Sequence, residues 1–241
     1  MFTYQRKVTY SEIGPDKKVN PAQIIKYFQD CLIFDSEQIG AGLDHLEAHK
    51  HIWVLTSWQV VINNYPGLGE DIVTGTWAYD FNAMYGYRNF ILDLSDGKRA
   101  AYANSIWVLM DRDAGRPVKL TQEEISGYEV GKKIDMAYEP RRIKLPKIWI
   151  EKETFTIKKS DLDTNQHVNN ARYIEMALEY VPEDFLIGQV RAEYKQSAIY
   201  NDTVLPKINI EGDSVIVVLC NANGEMFVSV KFDKESKIKH D

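Results

Sequence analysis

Cysteine is scarce in this sequence: Cys31 and Cys220 are the only two among 241 residues. Two cysteines so far apart form neither a disulfide framework nor the paired spacing of a zinc site. Cys31 lies in an apolar helical segment and Cys220 in a strand-like one, so we interpret both as core residues. This cysteine usage fits a reducing compartment, and we expect a cytoplasmic protein.

Long apolar runs and an excess of positive charge are also absent. No stretch approaches the roughly 18 apolar residues of a membrane span, and the N-terminal MFTYQRKVTY lacks the apolar core of a signal peptide. We therefore expect a soluble, unprocessed protein with no membrane insertion. The net charge of −6 argues against a general affinity for nucleic acid, because phosphate binding needs clustered Lys and Arg. An acidic partner would need a local basic patch.

The first half of the chain contains one helix followed by several strands. Asn20 and Pro21 are an N-cap and a first helical residue, and apolar residues then recur at helical spacing until about residue 39. An Asp96-Gly97 pair marks a hairpin turn. The strand-like runs that follow the helix are 52–62, 71–80, 86–95 and 99–110.

The second half repeats this order. VNPAQIIKYF (19–28) aligns with VNNARYIEMA (168–177), each residue with the one 149 positions later. Each half therefore predicts an α+β unit in which a sheet wraps one helix. We predict domains at 1–135 and 148–241, with a connector at about 111–147. The predicted elements of the second half are a strand at 149–157, a helix at 170–181 and strands near 189–198, 203–210, 213–220 and 225–232.

The polar run DTNQHVNN (163–170) precedes the second helix. Its residues Asp163, Asn165 and His167 occupy alternate positions, so in an extended chain their side chains would share one face. The aligned positions of the first half hold other residue types, and the trio therefore occurs only once. A simpler alternative is that Asp163 and Asn165 shape a turn while an asparagine caps the helix.

The position of this run also indicates a chemistry. A helix N-terminus offers unpaired N–H groups and positive potential to a developing oxyanion. His167 just before it could act as a general base or orient a water, with Asp163 or Asn165 fixing its tautomer. These groups are suited to attack on a carbonyl.

The segment DLDTNQHVNNARYIEMALE (161–179) closely resembles the active-site segment of plant and bacterial acyl-acyl-carrier-protein thioesterases. Residues 52–77 and 85–120 are similar in order and spacing to the N-terminal domain of that family. The resemblance implies a double hotdog, that is, two fused domains in which an antiparallel sheet wraps a long helix. It also implies hydrolysis of the thioester that joins a fatty acyl chain to acyl carrier protein, with no metal or other cofactor.

One departure from the family pattern bears on mechanism. Plant members carry a Glu-Cys pair in a pattern like Y-R-R-E-C, whereas this chain reads YKQSA from Tyr194. Ser197 therefore stands at the glutamate position and Ala198 at the cysteine position. We predict direct attack by a water that Asp163, Asn165 and His167 activate, with Ser197 holding the water and no acyl-enzyme.

The resemblance also suggests binding residues. The family selects chain length in its N-terminal hotdog, which makes Ile24, Tyr27 and Phe28 candidate tunnel walls. The acidic carrier protein calls for a basic patch, and the alternative is a solvated, charged connector. The densest basic group in the connector consists of Arg141, Arg142, Lys144 and Lys147.

Several alternatives stay open at this point. The histidines of DHLEAHKH (44–51) are a weaker metal candidate and fit a solvated loop or helix end. The protein could instead be an acyl-CoA thioesterase or a non-catalytic acyl-binding hotdog module. The sequence leaves open a homodimer as a further partner and does not determine the acyl length.

Overall fold

The computed structural model describes residues 1–235. The chain divides into two compact units, a first unit of Met1–Glu139 and a second unit of Pro140–Asp241. The predicted second domain extends to residue 241, and its last six positions lie outside the described residues. Each unit contains one helix packed on an antiparallel sheet, as the repeat predicts.

The first unit has a sheet with the strand order β1-β3-β4-β5-β2, and β6 pairs with β5. All of these pairings are antiparallel. The strands are β1 (Phe2–Lys7), β2 (His51–Ile62), β3 (Asp71–Asn82), β4 (Tyr85–Leu94), β5 (Arg99–Asp111) and β6 (Arg116–Pro117). The helices are α1 (Pro21–Gln38), α2 (Leu43–Ala48) and α3 (Gln122–Ile125).

Helix α1 packs on one face of this sheet. Its N-terminus is the predicted one, because the Asn20 side chain accepts a hydrogen bond from the Gln23 N–H at 2.8 Å. The Phe28 ring lies 5.3 Å from that of Phe90 and 6.2 Å from that of Trp58, measured between centroids. All three side chains are buried, and burying each one contributes roughly 1.5–3 kcal/mol. They form the core between helix and sheet.

Residues 130–139 cover the other face of the sheet. A row of neighbouring residues, Gln59, Asn89 and Asn104, crosses three strands on that face. The Gln59 amide donates to the Ala137 carbonyl and accepts from the Glu139 N–H, at 2.8 and 2.9 Å. The predicted connector is therefore bound along the sheet by buried amides.

The second unit has a sheet with the strand order β9-β12-β11-β10-β7, and β8 also pairs with β10. Helix α4 (Asn170–Leu178) contacts β11 and β12. The strands are β7 (Ile150–Glu151), β8 (Phe155–Thr156), β9 (Ile187–Tyr194), β10 (Thr203–Glu211), β11 (Ser214–Cys220) and β12 (Met226–Lys234).

Two predicted boundaries in this unit are wrong. The strand predicted at 149–157 is two short strands, because Pro206 in β10 has no N–H for the ladder at this point. Only the Lys152 N–H bonds to the Pro206 carbonyl there, at 3.0 Å. Helix α4 ends at Leu178, three residues before the predicted end, and the chain continues as a turn toward Pro182.

The start of the second unit covers the sheet face opposite α4. Ile143 packs with Ile216, Val218 and Cys220, and its N–H donates to the Glu193 carboxylate at 3.0 Å. Tyr194, the next residue along β9, points to the other face, where its hydroxyl donates to the Asn170 carbonyl of α4 at 3.0 Å. The sheet is therefore covered by a helix on one side and by the connector on the other.

The spacing of 149 residues between the repeats is confirmed in local detail. A 3₁₀ helix at Tyr10–Glu12 has its counterpart at Lys159–Asp161. The isolated bridge between Ile13 and Val19 corresponds to that between Leu162 and Val168. Both segments therefore fold as a short 3₁₀ helix, a tight turn and a helix capped by asparagine.

Candidate active site

The segment from Asp163 to His167 forms a tight turn before α4. The Asp163 N–H donates to the His167 carbonyl at 2.7 Å, and Gln166 adopts a positive φ of 61°. The predicted extended conformation is wrong here. The reason is local, since the Asp163 carboxylate accepts from the N–H groups of Asn165 at 2.8 Å and His167 at 3.3 Å.

The simpler alternative from the sequence, turn formation and capping, is confirmed for two residues. Asp163 shapes the turn through those two hydrogen bonds. Asn169 caps α4, with its side-chain oxygen accepting from the Ala171 N–H at 2.9 Å. The imidazole of His167 is exposed and makes no hydrogen bond or ion pair within residues 1–235.

The first unit provides an internal comparison for this turn. There the Gly14 N–H donates to the Lys18 carbonyl at 2.8 Å, and Lys17 has a φ of 63°. The Asp16 carboxylate accepts from the Lys18 N–H at 3.1 Å. The same turn thus forms with glycine, aspartate and lysine at the three positions. Its geometry does not require an aspartate, an asparagine and a histidine.

The helix N-termini of the two units differ in their first backbone group. The Ala171 and Arg172 N–H groups are both bonded to Asn169, but the Asn170 N–H has no acceptor among the described residues. The aligned residue of the first unit is Pro21, which has no N–H. Of the two aligned helices, α4 but not α1 therefore presents a free donor at its first position, where the helix dipole also favours negative charge.

Ser197 lies in a segment that is bound to the end of the turn. The Val168 N–H donates to the Ala198 carbonyl at 2.9 Å, and the Ala198 N–H donates to the Tyr173 hydroxyl at 2.7 Å. This pairing places exposed Ser197 in an irregular segment that is bound to Val168, the residue after His167. The structure therefore brings the segment of Ser197 together with the turn of Asp163, Asn165 and His167.

Comparison with known proteins identifies the family. Residues 1–128 match the acyl-ACP thioesterase N-terminal domain, and residues 148–219 match the acyl-ACP thioesterase C-terminal domain. The chain belongs to the acyl-ACP thioesterase family. This confirms the resemblance found in the sequence.

Sequence alignments with individual acyl-ACP thioesterases cover most of the chain. The chloroplastic acyl-[acyl-carrier-protein] hydrolase FATB2 of Cuphea viscosissima is 30% identical over 74% of this chain and 46% of its own length. The chloroplastic oleoyl-acyl carrier protein thioesterase 2 of Arabidopsis thaliana is 25% identical over 99% of this chain and 72% of its own. The chain spans about half the length of the first curated relatives it matches.

Solved structures of the family share the fold. An acyl-ACP thioesterase from Bacteroides thetaiotaomicron superimposes with a TM-score of 0.88 at 23% identity, covering 97% of each chain. The 12:0-ACP thioesterase from Umbellularia californica gives 0.83 at 20% identity, covering 98% of each chain. The predicted double-hotdog fold is therefore confirmed.

Two tyrosines that support the acyl-ACP thioesterase turn were missed from the sequence. Tyr173 holds the Ala198 N–H, and Tyr194 holds the first carbonyl of α4. Burial raises the pKa of Tyr173 to about 12 and that of Tyr194 well above its usual range, so both phenols stay protonated near neutral pH. Their role is to position backbone. In the sequence, Tyr173 has the pattern of an ordinary buried helix residue, and no feature indicates its hydrogen bond to the Ala198 N–H.

Neither cysteine of this family member is suited to nucleophilic attack. Both Cys31 and Cys220 are buried and reduced. Burial raises the pKa of the Cys31 thiol to about 11, and it also raises the pKa of Cys220. Near neutral pH both remain thiols, which are poor nucleophiles compared with thiolates. Their interpretation as core residues is confirmed.

The remaining predicted site residues lie elsewhere. Ile24, Tyr27 and Phe28 are completely buried in the first unit. Arg142, Lys144 and Lys147 are exposed, whereas Arg141 is half-buried. Ile143 between them packs on the sheet face opposite α4, so the structure does not place these cations on the face that carries the 163–167 turn.

The histidine-rich segment lies at a helix end, as expected. His49 caps α2, its ring nitrogen pairs with the His45 carbonyl at 2.8 Å, and His51 lies 3.1 Å from Glu124. No cluster of three or more His, Cys, Asp or Glu side chains suited to a metal ion occurs in residues 1–235. Over the same residues, every helix is too short or too polar to span a membrane.

Proposed function

We propose that this protein hydrolyses fatty acyl thioesters of acyl carrier protein, releasing free fatty acid and ending chain elongation. One observation carries the proposal. The two units fold the same turn, but only the second combines Asp163, Asn165 and His167 with a free helix N–H at Asn170. Membership of the acyl-ACP thioesterase family supports it, as do the names of the relatives.

The proposed reaction is direct attack of water on the thioester carbonyl. His167 takes a proton from the water as its oxygen bonds to the carbonyl carbon. The oxyanion that forms receives a hydrogen bond from the Asn170 N–H and is stabilised by the α4 dipole. The carbon–sulfur bond then breaks, the thiolate takes the proton from His167, and the acyl group leaves as a carboxylic acid.

Asp163 and Asn165 orient the groups that move protons. Asp163 holds the His167 and Asn165 backbones through two hydrogen bonds, and Asn165 supplies an amide to orient the water. Ser197 offers a hydroxyl for the same water, because its segment is bound to Val168. No acyl-enzyme is formed in this mechanism, and mass spectrometry of the protein during turnover should show no acyl adduct.

The proposal also covers the substrate-binding residues, the cellular location and the oligomeric state. The domain of residues 1–135 selects the acyl chain, with Ile24, Tyr27 and Phe28 as its proposed walls, and the domain of residues 148–241 carries the chemistry. Arg141, Arg142, Lys144 and Lys147 are the proposed contacts with acyl carrier protein. We further propose a cytoplasmic location, and a homodimer stays as a prediction that sizing of the protein in solution would test.

A panel of acyl-carrier-protein thioesters of different chain length tests the function. Wild type should release free fatty acid, and His167→Ala and Asp163→Ala should lower kcat by about 10²–10⁴-fold through lost proton transfer. Thr164→Ala is the matched control, because Thr164 is exposed in the same turn. Circular dichroism on each variant separates lost chemistry from lost folding.

The outcomes also separate the alternative functions. The same acyl groups on coenzyme A should be hydrolysed with a lower kcat/KM than on the carrier protein, and the reverse order would favour an acyl-CoA thioesterase. Acyl binding without any hydrolysis by wild type would contradict the proposal and favour a non-catalytic binding protein.

A further inference from the structure

A cavity of about 590 Å³ opens beside α4 in the second unit. It lies between residues 155–161, the exposed side of α4 and residues 200–201. Phe155, Met176, Tyr180 and Tyr200 provide apolar and aromatic walls, and Lys158 and Lys159 also line it. Asp161, Arg172 and Glu179 line it as well, so the cavity combines apolar walls with three cationic and two anionic side chains.

The repeat explains why the second unit has this cavity beside its helix and the first unit does not have it at the corresponding place. In the first unit the corresponding space is filled by Arg6, which lies 4.4 Å over the Tyr27 ring and pairs with Glu12. The residues 149 positions later are Phe155, Met176 and Asp161, and all three line the cavity. Replacing the arginine and tyrosine by a phenylalanine and a methionine leaves the space open.

The strand that carries Arg6 is also reduced in the second unit. In the first unit, β1 pairs with β3 over six residues, from Phe2 to Lys7. Its counterpart, residues 151–156, pairs with β10 through three residues, namely Glu151 of β7 and Phe155 and Thr156 of β8. The exposed side of α4 is therefore less covered by strand than that of α1.

Some of the cationic side chains that line the cavity form ion pairs and others do not. Arg172 forms ion pairs with Asp161, at 2.8 Å, and with Glu175. Lys158 and Lys159 are exposed and form no ion pair among the described residues, although the Lys159 ammonium lies 5.4 Å from the Tyr200 ring centroid. Two cations at adjacent positions are thus available to an anion, in a chain whose net charge is −6.

The cavity adjoins the backbone that holds the turn. The Asp161 carbonyl accepts from the Asn169 N–H at 3.0 Å, immediately before α4. Tyr200 and Asn201 follow Ala198, whose carbonyl is bound to Val168. Chain that lines the cavity is therefore hydrogen-bonded to, or continuous with, both segments that flank His167.

We propose that Lys158 and Lys159 bind the phosphate ester of a pantetheine arm, whose organic part lies against Phe155, Met176 and Tyr200. Flexible ammonium groups are suited to phosphate as point charges, and apolar walls are suited to an uncharged chain. The inference rests on the proposed thioesterase function. The phosphate could come from the carrier-protein arm or from coenzyme A, because both join pantetheine to phosphate.

A pair of small substrates isolates the phosphate contribution. Acyl-pantetheine and acyl-4′-phosphopantetheine differ only in the phosphate, and wild type should show a kcat/KM about tenfold or more higher for the phosphorylated one. Lys158→Ala/Lys159→Ala should remove that difference and leave acyl-pantetheine hydrolysis unchanged in kcat. Lys17→Ala/Lys18→Ala, an exposed lysine pair in the first unit, is the control for equal loss of charge and should retain the difference.

Equal kcat/KM for the two substrates in wild type, or an unchanged difference in the Lys158/Lys159 variant, would overturn the inference while the thioesterase function stands. If wild type hydrolyses neither substrate, calorimetry with 4′-phosphopantetheine and pantetheine decides the site, and the proposed function fails only if acyl-carrier-protein thioesters are not hydrolysed either. Binding of the first ligand that the Lys158/Lys159 variant abolishes supports the site, and its absence overturns it. Repeating the kinetics with acyl-carrier protein and acyl-CoA identifies the source of the phosphate.

Discussion

At the residue scale, the two helix N-termini differ at their first aligned position. Pro21 begins α1 and Asn170 begins α4, so a backbone donor is absent from the first and free in the second. A free N–H at a helix N-terminus stabilises a developing negative charge more strongly than it stabilises a neutral carbonyl. We therefore assign the oxyanion contact to the Asn170 N–H.

Asn170→Pro removes this donor with little effect on the helix. Proline is well tolerated at the first helical position, and Asn169 already has the φ of −59° and ψ of 139° that a residue before proline prefers. We predict a fall in kcat of about 10²–10³-fold with an unchanged melting temperature. Asn170→Ala keeps the N–H and is the control, for which activity near wild type is expected. Equal activity of the two variants would remove the Asn170 N–H from the mechanism.

Residue types at the candidate site could be predicted from the sequence better than their geometry. Asp163, Asn165 and His167 stand out because their aligned partners differ. A turn was one of two alternatives for this segment, and its geometry depends on an aspartate accepting two backbone N–H groups and on Gln166 adopting a positive φ. The Asn170 N–H could have been suggested by the alignment with Pro21, but its lack of an acceptor is visible only in the folded chain.

At the element scale, the connector is an integral layer of each unit. In the first unit, the Asn89 side-chain oxygen accepts from the Ile134 N–H at 3.0 Å and the Tyr138 hydroxyl at 3.1 Å. In the second, Arg191 donates to the Pro140 carbonyl and Glu193 accepts from the Ile143 N–H. A segment rich in turn formers thus covers sheet faces that would otherwise expose buried strands.

Asn89→Ala tests the binding of this layer. It leaves the Ile134 N–H without its acceptor, which should cost about 1–3 kcal/mol of unfolding free energy, while the Tyr138 hydroxyl keeps the Ile134 carbonyl at 3.0 Å. Hydrogen exchange should show faster exchange at Ile134. Asn82→Ala, at an exposed position of β3, is the control and should leave that exchange rate unchanged. Unaltered exchange at Ile134 in Asn89→Ala would show that the amide does not hold the connector.

The main helices and long strands could be predicted because apolar residues recur in each of them at a clear helical or strand spacing. The long strands of the first unit start and end within two residues of the prediction, and Gly97 and Gly224 have the positive φ expected of hairpin turns. The strand predicted at 149–157 fails because its partner strand contains Pro206, a tertiary neighbour that local periodicity cannot register. The strand β1 and the short helix α2 carry too few patterned residues to be recognised.

At the scale of the whole molecule, the chain contains one architecture twice, and we propose different roles for the two copies. The first unit keeps the turn, the capped helix and the sheet, with Arg6 and Tyr27 filling the space beside α1. The second unit has the acid, the amide, the imidazole and an open cavity in the corresponding places. Each repeat therefore serves as a structural reference for the other.

The exchange of one turn for the other tests the central claim most directly. The triple variant Asp163→Gly/Asn165→Asp/His167→Lys gives the second unit the residue types of Gly14, Asp16 and Lys18. Its new aspartate can accept the N–H of residue 167, as Asp16 accepts the Lys18 N–H. The measurement is fatty acid release from an acyl-carrier-protein thioester that wild type hydrolyses. We predict a melting temperature within about 4 °C of wild type, which is roughly 1 kcal/mol for a chain of this size, and a loss of kcat of at least about 10²-fold. A folded variant that retains wild-type turnover would contradict the assignment of the chemistry to this turn.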